Sequence, residues 1–175
     1  MRILALVLFA GCSMYGAPAD RLHPVPPIRH AKVDPAAPPP VYAETCSVDF
    51  HRSPAGVKRK TDVAQTQVSA GDTTLDDSKK ATTDTARADL IVSGIQHYAD
   101  ALRADPFDAA ATLKLAVAYD KALHKGCALA MLRRLDALAQ NPKIAPDASA
   151  RVDDVVDNPQ WFRDYRTDAL KAVNR

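Results

Sequence analysis

YADALRADP, residues 98–106, returns as RLDALAQNP, residues 134–142, so that an Asp-Ala-Leu core and a closing proline recur 36 positions apart, at Pro106 and again at Pro142. Each copy closes an apolar pattern of helical period. Ahead of the first, Ala88, Ile91, Ile95, Tyr98 and Leu102 fall three or four residues apart, the spacing that lines one face of an α-helix. Asp84 is a good N-cap for this helix, and Pro106 disfavours helical geometry at Asp105, which predicts a stop near Ala104. Ahead of the second copy, Leu129, Leu132, Leu135 and Leu138 repeat the pattern over residues 127–140, before Asn141 and Pro142 break it. Between the copies, Asp108 caps a helix through Leu113, Ala116, Val117 and Leu123, with Gly126 the predicted left-handed stop. Helices of this length joined by short loops pack as antiparallel neighbours, and a recurrence near this period is that of stacked helical hairpins. The fold class is all-α.

Downstream, Asp147 opens a short helix carrying Val152, Val155 and Val156. Asn158 and Pro159 then form a cap and first-turn proline for a last helix with Trp161, Phe162, Tyr165, Leu170 and Val173. Upstream, residues 55–70 form a first helix with Val57, Ala64 and Val68 on one side, Gly71 as its stop and the Lys58-Arg59-Lys60 triplet as solvated face. GDTTLDDSKKATTDT, residues 71–85, is polar and threonine-rich and is predicted to be a loop or frayed helix start. Residues 46–83 are thus an arm plus first helix, and residues 84–175 the repeat domain. Eight of the thirteen prolines fall before residue 41, so residues 12–45 form a proline-rich tether without a core. At about 3.1 Å per residue it could span on the order of 100 Å. A formal charge of +2 offers no electrostatic basis for a nucleic-acid partner.

The N-terminus reads MRILALVLFAGC: one basic residue, an apolar run too short to cross a bilayer, then small residues before Cys12. FAGC resembles the lipobox of bacterial lipoproteins. The resemblance implies a signal peptide at residues 1–11, lipidation of Cys12 as the mature N-terminus, and membrane attachment through that lipid. With Ser13 after the cysteine, it further implies an outer-membrane lipoprotein facing the periplasm.

Tyr98, Ala101, Leu102 and Pro106, and then Ala130, Ala137, Leu138 and Pro142, stand where the tetratricopeptide repeat has its second-helix small, aromatic, Ala-Leu and terminal proline positions. Leu115, Ala116 and Tyr119 fall at its first-helix positions. The chain over residues 85–175 therefore resembles a short tetratricopeptide-like stack. That resemblance implies a non-enzymatic interaction protein with a concave face made by first helices, here Thr112, Ala116 and Tyr119, gripping a cell-envelope protein or peptide. An assembly or pilotin-like factor for a secretion or pilus machine is a second reading. No catalytic residue, cofactor or metal ligand is assigned.

With Cys12 given to lipid, Cys46 and Cys127 remain in what would be an oxidising compartment. Either they pair, stapling the arm to the third helix, or they stay separate thiols with Cys127 a small core residue. Cys46 with His51 and His124 with Cys127 also offer four zinc-ligand types in two short-spaced pairs, the only footing for a small metal- or thiol-dependent enzyme. The acidic runs Asp76-Asp77 and Asp153-Asp154 lack calcium-loop spacing.

Overall fold

The computed structural model describes Cys46 and residues 55–175. The segments expected to be a signal peptide (1–11) and a tether (12–45), Cys12 among them, and most of the expected arm lie outside the described residues. Six helices follow in order: α1 (Thr61–Lys80), α2 (Asp84–Ala104), α3 (Ala109–Lys121), α4 (Lys125–Ala139), α5 (Ala148–Asp157) and α6 (Arg166–Ala172), the last preceded by a single 3-10 turn at Arg163–Tyr165. No strand occurs among the described residues, and the class is all-α.

Local chemistry sets most boundaries. Thr83 caps α2 by accepting from the Ala86 amide, and Asp108 caps α3 by accepting from the Ala111 amide at 2.8 Å. Asp105 is extended ahead of Pro106 and ends α2 as predicted. The stop of α3 differs from expectation. The left-handed residue is Leu123 (φ 62), and Gly126 lies in the first turn of α4. The His124 amide donates to the Tyr119 carbonyl and the Leu123 amide to that of Asp120, a paired closure that accepts an L-residue in a glycine's place.

The first helix is displaced and lengthened relative to expectation. It begins at Thr61, passes through Gly71 and absorbs the polar stretch as far as Lys80. Antiparallel packing on α2 explains this. A Cβ at Gly71 would lie 2.5 Å from the Tyr98 ring, and one at Gly94 would lie 2.9 Å from Leu75, so each helix gives up a side chain where the other inserts one. Gly71 is a packing site, not a stop. The threonines that disguised the helix turn back onto it: the hydroxyls of Thr66, Thr73 and Thr74 donate to carbonyls four residues earlier.

Arg59 lies ahead of the helix and, though exposed, is fully engaged. Its guanidinium donates from Nε to Asp105 Oδ1 at 2.8 Å and from Nη2 to Oδ2 at 2.9 Å, while Nη1 reaches the Ile144 carbonyl. One side chain thereby ties the entry of α1 to the α2–α3 turn and the α4–α5 loop. Asp105 is 1% exposed, and the pair is its charge compensation.

α1 pairs with α2 and α3 with α4, α2 packs on α3, and α5 and α6 close the far end against α4. On one side α1 touches α3 and α3 touches α5. The core between them is built of alanine and leucine, with Tyr98, Phe107, Met131 and Phe162 as its large members.

The last segment departs from expectation at Asn158. Its side-chain amide donates back to the Asp154 carbonyl, so Asn158 finishes α5 and opens no helix. Trp161 and Phe162 lie in a turn, and Phe162, fully buried, holds φ at 57. Arg166 stabilises that turn by donating to the carbonyls of Asn158 and Val156.

Candidate functional site

α1, α3 and α5 enclose a cleft of about 510 Å³ on the side where they meet. α1 contributes Asp72, Leu75, Asp76 and Lys79; α3 contributes Ala110, Leu113, Lys114, Val117 and Lys121; α5 contributes Arg151 and Asp154. Tyr98 of α2 and Trp161 complete the wall. Lys114 meets Asp72, and seven residues on in each helix Lys121 feels the charge of Lys79, so α1 and α3 run in the same direction along the cleft.

The charges form an ordered pattern. Asp72 accepts from Lys114 Nζ at 2.6 and 2.7 Å on its two oxygens and from the Tyr98 hydroxyl at 2.8 Å. Burial and that carboxylate push the Tyr98 hydroxyl well above its ordinary pKa, so it serves as a donor and not as a base. Lys79 donates to Asp76, whose carboxyl is held below its usual range by that bond. Arg151 pairs with Asp154 at 3.1 Å. Lys121 makes no ion pair among the described residues; loss of hydration lowers its pKa, and Lys79 adds to the effect. Leu75, Leu113, Val117 and Trp161 supply apolar surface between these charges.

The residues predicted for the partner surface are elsewhere. Thr112 and Ala116 are fully buried and Tyr119 is 4% exposed, so none can meet a partner in this structure. Thr112 donates its hydroxyl to the Asp108 carbonyl, and Tyr119 packs edge-on against His124. The stripe open to the cleft is rotated from theirs and runs Ala110, Leu113, Lys114, Val117, Lys121. The carboxylates and lysines recurring at Asp72, Asp76 and Lys79, and at Lys114 and Lys121, are the signal that marks it. Of the repeat positions, Tyr98, Ala101, Leu102, Pro106 and Leu138 are buried and Ala130 is partly so, whereas Ala137 and Pro142 are exposed.

Cys46 and Cys127 are joined by a disulfide, with Cα atoms 5.5 Å apart. Cys127 is buried in the first turn of α4, so the bond holds the chain ahead of α1 to the second helix of the second hairpin. Both sulfurs are thereby consumed, and the four-ligand zinc reading and the thiol-nucleophile reading lose their thiolates. His51 lies outside the described residues. Among the described residues no group of three or more His, Cys, Asp or Glu is placed to hold a metal ion, and no helix is long and apolar enough to cross a membrane.

No family model, no curated protein and no solved structure matches this chain.

Proposed function

We propose that the protein is a non-enzymatic interaction module: an outer-membrane lipoprotein, anchored through Cys12 and facing the periplasm, whose helical-hairpin body docks a segment of another cell-envelope protein. The single observation that carries the docking reading is the cleft along α1, α3 and α5, where apolar side chains alternate with ion pairs. Such a lining suits a peptide, because its apolar patches take side chains while the flanking charges set register. The tetratricopeptide-like pattern of residues 85–175 supports the same reading, since stacked hairpins present their first helices on a shared surface. FAGC at residues 9–12 and the proline-rich stretch behind it support anchoring at a distance from the membrane.

The test is site-specific photo-crosslinking of the full chain in its native host. A photoreactive residue at Val117, in the cleft, is expected to yield a discrete adduct that one at Val92, 63% exposed on α2, does not. Equal labelling at both positions, or none at Val117, would remove the docking reading. Mass spectrometry of the membrane fraction is expected to find a lipid adduct on Cys12, and an unmodified chain would remove the anchor.

A further inference from the structure

Charge accounting within the cleft narrows what its occupant must carry. Each carboxylate in the lining is already engaged: Asp72 by Lys114 and the Tyr98 hydroxyl, Asp76 by Lys79, Asp154 by Arg151. A cationic side chain entering there would have to displace a lysine or arginine from one of these pairs. An anionic side chain displaces nothing, because Lys121 is lined up on the cleft with no ion pair among the described residues. Its charged neighbours are Lys79, Asp76 and Asp120; Asp76 is bonded to Lys79 and Asp120 accepts from the Tyr165 hydroxyl, so both nearby carboxylates have other partners and neither is bonded to Lys121 among the described residues. A lysine in the last turn of α3 also suits the helix dipole. That explains a cation at this point in the chain and leaves its orientation along the cleft to be used.

The apolar part of the lining is close by. Val117 sits one turn before Lys121 on the same stripe, and Leu113 one turn before Val117. Successive turns are about 5.4 Å apart, so a carboxylate at Lys121 and an apolar group on Val117 are within reach of adjacent side chains of one bound segment.

Resting on the docking reading above, we propose that the cleft selects a protein segment presenting an Asp or Glu beside an apolar residue, its carboxylate on Lys121 and its apolar side chain on Val117 and Leu113. The paired charges at Asp72–Lys114 and Arg151–Asp154 then set the segment's direction by hydrogen bonding.

The experiment is selection of random phage-displayed peptides on the full chain in detergent, followed by binding measurements of the selected peptide on variants. Enriched sequences are expected to carry Asp or Glu next to Leu, Ile, Val or Phe. Lys121→Glu is expected to weaken the selected peptide about tenfold and Lys121→Arg to retain it, with thermal unfolding unchanged in Lys121→Arg and lowered only slightly in Lys121→Glu, where an exposed anion meets the α3 C-terminus. Peptides without an acidic preference, or equally tight on Lys121→Glu while lost on Val117→Arg, would overturn the acidic-segment inference and keep the docking reading. No binder, or binders indifferent to Val117→Arg, would overturn both.

Discussion

Each copy of the Asp-Ala-Leu phrase ends a helix just ahead of its proline, and the two copies live in different surroundings. At the first, Ala101 is fully buried, Pro106 is buried, and Asp105 is sealed inside with Arg59 holding both carboxylate oxygens. At the second, the corresponding Ala137, Asn141 and Pro142 are exposed, and Asn141 merely turns its amide back to the Ala137 carbonyl. Tyr98 of the first copy lies against Gly71 and bonds Asp72; Arg134, its counterpart, reaches across to donate to the Pro106 carbonyl of the first copy. The pattern therefore specifies where a helix stops. Position in the stack decides what the stop is worth, because the first lies between two hairpins and the second faces outward.

The largest expected effect concerns how the helix of the second copy is anchored. α4 is joined at its start to Cys46 across a sequence separation of 81, and loop closure of that size contributes about 4 kcal/mol through the unfolded state. Urea unfolding with and without reductant should show a loss of this order; an unchanged midpoint would mean that α4 needs no covalent hold. Next comes an exchange of identities. Asp105→Asn makes the first copy read like the second and is expected to cost about 2–3 kcal/mol, tempered because Arg59 can turn toward solvent. Asn141→Asp, the reverse change at the exposed copy, should stay within about 0.5 kcal/mol. Similar losses at both positions in chemical denaturation would break the distinction between them.

A smaller effect sharpens the role of Tyr98. Gly71→Ala gains helix propensity of up to about 1 kcal/mol but drives a methyl into the buried ring, and overpacking should win by about 1–2 kcal/mol in the same assay. A stabilised variant would mean the ring has room to move. The smallest change lies in the turn joining α3 to α4. Leu123 is 74% exposed at positive φ, so Leu123→Gly removes strain and little packing and should raise stability by about 0.5–1 kcal/mol. A drop in melting temperature would show that Leu123 holds a contact.

What could be read from the chain follows the range of the forces involved. The ends of α2 and α4 and the cap of α3 were legible because Asp105-Pro106, Asn141-Pro142 and Asp108 act within a turn of themselves. Gly71 was misread as a stop because its reason for being glycine is a ring 27 positions away, at Tyr98. The partner of Arg59 was illegible for the same cause, Asp105 being 46 residues distant. The phase of α3 was illegible for another reason. Ala109, Ala111, Thr112, Leu113, Leu115, Ala116, Ala118 and Tyr119 are all buried, and a helix packed nearly all round has no single apolar stripe from which to infer an outer face. Trp161, Phe162 and Tyr165 have helical spacing, yet no local signal announces a buried phenylalanine at positive φ.

The docking face is the central claim, and chemical-shift mapping of the full chain in detergent with a partner segment recovered by crosslinking or selection tests it most directly. The expected result is perturbation concentrated at residues 72–79, 110–121 and 151–161, with Val92 and the exposed side of α4 unmoved. Perturbation centred instead on the outer faces of α2 and α4, with Val117 and Lys121 silent, would contradict it.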